Sequence, residues 1–505
     1  MKKPPTLPRP LPALTLFLVL LAACAPRGHL LGGAVSGLDP GKSLVLAEDV
    51  SGQTLTVRSG GAFTFPRRLP SGAAYRVVVA AHPEAQGCVV ENASGTASSD
   101  VNDVRVFCGD SGSLDDSFGD SGTAVTPLVS LPAQAKALAV LADGRLLAAG
   151  EKAGSSYPDL ALARFDVDGA LDTSFGSAGR VVEDLGSTSR ANALLVGDDG
   201  TVVVGGSAYG GDSDFVLIRY TAGGQRDAGF GSGGLVRTDF SGSHDYLRAL
   251  LLLPDGRLLA GGRSGDGFAL ARYKTDGSLD SGFGTGGRVR TPMGSGGVGV
   301  YAMALQADGK IVAVGKQYSG GNAQFAVARY LPSGQLDTGF GGGSGYVLLD
   351  YAGKNDAAHA VALLPDGKIV VAGQADNSSG QGFPALVRLN ADGSLDASFG
   401  SGGWRVLSSA PTGALYALAL QPDGKLLLAG NAPDASLSYA AFLLARLLPG
   451  GDLDPEFGDG GLSITEFGGD AWIRALALQP NGKIVVAGYA NGASSEGFAL
   501  ARYWP

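Results

Sequence analysis

From residue 112 to the end of the chain, an Asp-Gly or Asn-Gly pair followed by a short apolar run returns seven times. The copies are Asp143-Gly144, Asp199-Gly200, Asp255-Gly256, Asp308-Gly309, Asp366-Gly367, Asp423-Gly424 and Asn481-Gly482, at intervals of 56, 56, 53, 58, 57 and 58 residues. A second signature, Leu-Asp-x-x-Phe-Gly, tracks the first at 114–119, 171–176, 279–284, 336–341, 395–400 and 453–458, with Arg226-Asp227-Ala228-Gly229-Phe230-Gly231 as a variant copy. A fixed period of this length means one supersecondary unit packed on copies of itself. The repeat therefore decides the fold.

Within one unit four extended segments can be read, at 286–290, 301–306, 310–315 and 324–330. In Gln421-Pro422-Asp423-Gly424-Lys425 the proline suits the first corner of a type I turn, and the glycine suits the left-handed position that closes a three-residue hairpin loop. Segments such as Ala417-Leu418-Ala419-Leu420 and Ile484-Val485-Val486-Ala487 are apolar on both faces and must be covered on both. Seven four-stranded sheets set radially meet that need. A linear solenoid is the competitor, but it calls for polar caps, and the first and last units resemble the others. The expected fold is all-β, a seven-bladed β-propeller over 110–505.

Each unit also carries an Arg eight residues before the Asp of the Leu-Asp signature: Arg164 and Asp172, Arg219 and Asp227, Arg272 and Asp280, Arg329 and Asp337, Arg388 and Asp396, Arg446 and Asp454. Asp115 lacks an upstream Arg and Arg502 lacks a downstream Asp, so a closed ring predicts that these two meet. Seven ligand sites are one reading of the pairs. Surface-exposed ion pairs that set hairpin register, worth ~0–1 kcal/mol each, are the other and the favoured one.

The runs Leu-Gln-Pro-Asp-Gly-Lys and Ile-Val-Val-Ala-Gly, Phe-Ala-Leu-Ala-Arg-Tyr, and Asp-Gly-Ser-Leu-Asp-x-x-Phe-Gly resemble the bacterial delta-60 repeat family over nearly all of 112–505. Unit two departs from it at Arg226. The resemblance implies a secreted or surface-attached propeller-like array. It carries over no reaction and no catalytic residue.

The start of the chain reads as an address. Lys2, Lys3 and Arg9 precede a mostly apolar run at 11–23, too short to span a bilayer core of ~30 Å as a helix. Leu21-Ala22-Ala23-Cys24 resembles a bacterial lipobox, which implies a signal peptide at 1–23, lipid attachment at Cys24 and a linker at 24–30. Removal of three basic residues would take the net charge from −9 to −12. Ala25 after the cysteine resembles the pattern that permits onward export to an outer membrane. The expected location is the bacterial cell envelope, lipid-anchored at the outer membrane or cell surface.

Residues 31–109 alternate about seven short apolar stretches with turn residues, which suggests a small antiparallel β-sandwich. Cys88 and Cys108 are the remaining cysteines, and in an oxidising compartment a bridge between them is expected over two unpaired core thiols. The spacing is similar to prealbumin-like or immunoglobulin-like modules of bacterial surface lipoproteins.

Composition narrows the chemistry. Three Cys, four His and three Met leave little for a zinc framework, haem or iron–sulfur cluster, so no cofactor and no metal are expected. An acidic chain with no Lys/Arg run after the signal argues against nucleic acid. His244 and His359 lie 11 and 7 residues before their units' turns and so do not define a ring. Asp166-Val167-Asp168-Gly169 holds only half the ligands of a calcium loop. Loops around His244-Asp245-Tyr246, 293–300 and Asp470-Ala471-Trp472 add aromatics beside the axis, as contacts for carbohydrate or peptide or as packing against the neighbouring unit. With no catalytic constellation in view, the expectation is a non-catalytic surface lipoprotein. A small sandwich acts as its spacer, and its propeller binds a protein or envelope polymer. The alternative is an exported propeller enzyme, a polysaccharide lyase or hydrolase.

Overall fold

A computed structural model describes residues 28–128, 132–154, 157–240, 242–294, 297–408, 410–433, 438–491 and 496–505. The signal segment and Cys24 lie outside these described residues.

The N-terminal part has eight strands: β1 (Leu31–Ser36), β2 (Leu44–Glu48), β3 (Gln53–Val57), β4 (Gly61–Thr64), β5 (Ala73–Ala81), β6 (Gln86–Glu91), β7 (Ser94–Ala97) and β8 (Val101–Asp110). They form two four-stranded sheets, β4-β1-β8-β6 and β3-β2-β5-β7, around one cluster that includes Leu31, Leu44, Phe65, Val77, Val104 and Val106. One pairing departs from the antiparallel expectation, since β1 and β8 run parallel. Six strands separate them in sequence, ample chain for the crossover that a parallel pair requires. Cys88 and Cys108 face each other across β6 and β8 and are joined by a disulfide.

Seven more four-stranded sheets follow. Their innermost strands are Ala133–Val140, Ser189–Val196, Asp245–Leu252, Gly299–Leu305, Asp356–Leu363, Ala414–Leu420 and Ala471–Leu478. Each innermost strand packs on the next, and the last packs on the first. The molecule is a closed β-propeller. Middle strands such as Leu426–Pro433 and Ile484–Asn491 are buried along nearly their whole length, as a sheet covered on both faces demands. The sequence unit and the sheet are offset by one strand. Arg288–Pro292, read above as the start of a unit, is the outer strand of the sheet before it, because the Leu-Asp-x-x-Phe-Gly turn sends the chain back along the outer edge.

The seventh sheet is completed from the other end of the chain: Thr123–Thr126 pairs with Glu496–Tyr503. At this seam Arg502 Nε donates to Asp115 Oδ2 at 2.6 Å, and Lys483 Nζ donates to the same oxygen at 2.6 Å. The N-terminal unit grips the seam as well. Gly87 and Gly109 lie opposite each other next to the disulfide. A Cβ on Gly87 would overlap Pro505 and one on Gly109 would overlap the Trp504 indole. Ser111 Oγ donates to the Pro505 carbonyl at 2.7 Å.

The other repeat pairs sit equivalently, with Nε to Oδ2 distances of 2.8 Å for Arg164–Asp172, 2.7 Å for Arg219–Asp227, 2.8 Å for Arg272–Asp280, 2.8 Å for Arg329–Asp337, 2.6 Å for Arg388–Asp396 and 2.7 Å for Arg446–Asp454. The expectation of surface-exposed pairs is corrected: apart from Arg219, these arginines are buried. Each guanidinium lies over the Phe of its own Leu-Asp-x-x-Phe turn, as Arg272 does over Phe283 at 4.7 Å. All but Arg446 also donate to a backbone carbonyl of the next unit, as Arg164 does to Ala222 at 2.6 Å and Arg272 to Pro332 at 2.6 Å. The pair therefore ties neighbouring blades together as well as fixing a hairpin. The residue after most Asp-Gly turns adds a second cation to the same carboxylate: Arg145, Arg257, Lys310, Lys368, Lys425 and Lys483. Unit two has Thr201 there, which bonds Asp199 instead.

Candidate functional site at the propeller axis

In every innermost strand the ladder slips by one residue at one place. The residue left without a partner is Lys136, Asn192, Arg248, Tyr301, His359, Tyr416 or Arg474 in turn. A bulge of this kind bends the strand and re-aims the side chain, and here the inner edge faces the axis. Each of the seven stands seven residues before the Asp or Asn of its turn and is followed by Ala. The side chains meet around the axis. Arg248 lies over the Tyr301 ring at 4.6 Å, and Tyr301 meets His359 edge-on at 5.2 Å. His359 meets Tyr416 at 5.1 Å, and Arg474 lies over Tyr416 at 4.4 Å. Asn192 Nδ2 donates to the Leu247 carbonyl at 2.8 Å, bridging the second blade to the third.

Of the two histidines one reaches the ring and the other does not, as their unequal offsets implied. The seven-residue offset of His359 is the ring position itself, while exposed His244 lies beyond it, accepting from Ser213 N–H at 3.1 Å. His359 is held well below the usual imidazole range, at about 3, first by burial and then by Lys316, Arg474 and Arg248. It is neutral at physiological pH.

Beside the ring, on the face where the inner strands begin, opens a cleft of about 610 Å³. Five cations line it: Lys136, Arg190, Arg248, Arg263 and Lys316; Tyr209, Tyr246 and Tyr301 stand among them. Glu151 is the acid close by, bonded to Lys136 at 2.9 Å and Arg190 at 2.8 Å. Among the described residues, Arg248, Arg263 and Lys316 have no carboxylate within ion-pair distance, and neither has Arg474 across the axis. Lys136 is pulled below the usual ammonium range first by burial, with Arg190 and Arg248 adding repulsion against the attraction of Glu151. Positive charge is thus concentrated at one end of a chain whose net charge is −9, and a partly buried group of like charges attracts a counter-charge strongly.

The loops singled out from sequence flank this mouth. Tyr246, Gly297 and Gly299 line the cleft, and Trp472 lies across the axis, stacked on Tyr489 at 5° and 6.5 Å. The Arg/Asp repeat pairs sit at the turn end of the blades and line none of it. Asp166 accepts from the N–H groups of Asp168 and Ala170 as a turn.

A closed ring of radial four-stranded sheets around a polar axis defines a β-propeller. Seven stretches of the chain match a family of β-propeller repeats. Residues 141–175, 198–230, 253–283, 306–340, 364–399, 421–457 and 479–505 match the family model described as a domain of unknown function (DUF5122) beta-propeller. Nothing among curated proteins matches.

Similar solved structures include a catalytically inactive virginiamycin B lyase from Staphylococcus aureus with quinupristin, at 10% identity and TM-score 0.46, covering 75% of this chain and 98% of that one. A protein from Lactobacillus plantarum has 15% identity and TM-score 0.40, covering 66% and 88%. A gluconolactonase from Xanthomonas campestris has 13% identity and TM-score 0.33, covering 61% and 83%. Likeness at this level carries no chemistry from one chain to another. The expectation that the chain is not an enzyme is corrected on the ground of the axial site itself, since it rested only on finding no catalytic motif along the sequence. The physical reason is that an axial site draws single side chains from different blades, so the lack of a linear catalytic motif is no argument against chemistry there.

Proposed function

We propose that the propeller binds an anionic ligand at the axial mouth. The observation that carries this is the convergence of Lys136, Arg190, Arg248, Arg263 and Lys316 on one cleft, with Arg248, Arg263 and Lys316 lacking carboxylate partners among the described residues. Cations held together without acids have a cost that a bound anion relieves, and the cleft volume falls in the range of ligand pockets, ~300–1,000 Å³. The test is titration of the purified chain with inorganic polyphosphate. Binding is expected to weaken steeply with salt and to fall at least tenfold in Arg248→Met/Lys316→Met. Binding that is unchanged in that double variant, or the absence of binding by any polyanion, refutes the reading.

The same proposal gives the remaining parts their place. Cys24 would carry lipid and hold the chain to the bacterial envelope. The N-terminal unit, of prealbumin or immunoglobulin type, would be its spacer. What supports this is the lipobox-like Leu21-Ala22-Ala23-Cys24 and the docking of the small unit against the C-terminal residues Trp504 and Pro505, at the turn end of the blades and away from the mouth. Labelling with a radioactive fatty acid that persists in Cys24→Ala would refute the anchor.

A further inference from the structure

The mouth has two unlike halves. Blades one to four supply Lys136, Arg190, Arg248, Arg263 and Lys316. Outside that cleft, across the axis, blades five to seven place neutral His359, Tyr416, Trp472 and Tyr489, with Arg474 as their one cation at the axis. That second half consists of half-buried rings, not rings sealed in the core. The Arg474 guanidinium is fixed between two of them, 4.4 Å from the centre of Tyr416 and 5.5 Å from that of Trp472. A cation held on ring faces is aimed without being neutralised.

A small inorganic anion would use the first half and leave the second without a role. A sugar acid uses both. The C–H faces of a pyranose are apolar and lie flat on aromatic rings, while its carboxylate takes the fork of an arginine. Tyrosine hydroxyls and the neutral imidazole supply the donors and acceptors that sugar hydroxyls need.

We infer that the ligand of the axial mouth is an acidic polysaccharide, its carboxylates on the cationic half and its sugar rings on the aromatic half around Trp472 and Tyr416. This rests on the anion-binding reading above and adds the ligand class. Single-stranded nucleic acid also joins charge to flat rings. Poly(U) is therefore included in the test, where tighter binding of it decides for nucleic acid.

The experiment compares polygalacturonate, polyphosphate, poly(U) and neutral dextran on the full folded chain at equal ionic strength. Polygalacturonate is expected to bind at least tenfold more tightly per charge than polyphosphate or poly(U), and dextran not at all. Trp472→Ala is expected to lose about tenfold for polygalacturonate and nothing for polyphosphate. Equal binding of polygalacturonate and polyphosphate overturns the inference and leaves the anion reading standing. Tighter binding of poly(U) overturns it in favour of nucleic acid. No binding of any polyanion refutes both. The comparison of polymers on the unaltered chain stands even where Trp472→Ala fails to fold.

Discussion

Asp115 is the acid on which ring closure converges, and its removal is a quantitative test of that account. It is 2% exposed and accepts from Lys483 Nζ, Arg502 Nε and Ser117 Oγ at 2.6, 2.6 and 2.7 Å. Burial by itself would raise its carboxyl pKa, but the bonds from Lys483 and Ser117 and the charge of Arg502 outweigh this and lower it. Asp115→Ala leaves two buried cations facing each other, and breaking a buried pair this way costs about 3–5 kcal/mol. With ~2.1 cal/mol/K per residue, unfolding 505 residues carries about 1 kcal/mol/K, so the Tm is expected to fall by about 3–5 °C. The assay is calorimetry with Asp227→Ala as control, since the unit-two pair is the open one and lacks the second cation. Adding Lys483→Met to Asp115→Ala is expected to return part of the loss, because one orphaned charge goes with it. Lys483 is already pulled below the ammonium range, first by burial, so raising the pH should also return part. Equal Tm shifts for Asp115→Ala and Asp227→Ala, or a further fall on adding Lys483→Met, would refute the reasoning.

Two further outcomes are expected. His359, with its folded pKa at about 3 against about 6.5 unfolded, contributes stability that is whole above pH 6.5 and lost as pH falls towards 3. Its imidazole NMR signals should therefore stay fixed from pH 8 to 5, and His359→Gln should flatten the Tm profile below 6.5; a midpoint near 6.5 would contradict this. Gly109→Val should displace Trp504 from its seat beside the disulfide, seen as red-shifted emission and faster C-terminal proteolysis. Unchanged emission would mean that the small unit does not grip the seam.

The period and its turns were legible because a left-handed glycine is required at the same place in each unit. Gly144, Gly200, Gly256, Gly309, Gly367, Gly424 and Gly482 all have φ between 78° and 96°, a region that other residues enter at a cost. The axial ring was hidden for the opposite reason. Its position is fixed by the backbone slip, but its occupants are Lys, Asn, Arg, Tyr, His, Tyr and Arg, so comparison of the units for shared letters discards it. The constant offset of seven residues before the turn, with an Ala after it each time, was the signal available. Burial of the Arg/Asp pairs could not be read either, since it comes from the neighbouring unit's turn closing over each guanidinium. The parallel β1–β8 pair is likewise a matter of long-range topology and leaves no local mark.

The same bulge separates what holds the molecule up from what it presents. Because alanine follows the slipped residue in every blade and the ladder resumes beyond it, the ladder itself needs nothing of that side chain except that it point inward. Seven positions around one axis are thus interchangeable, like the pins of a lock cylinder. A lineage, or a designer, can recut the lining one pin at a time while the surrounding sheets keep their packing.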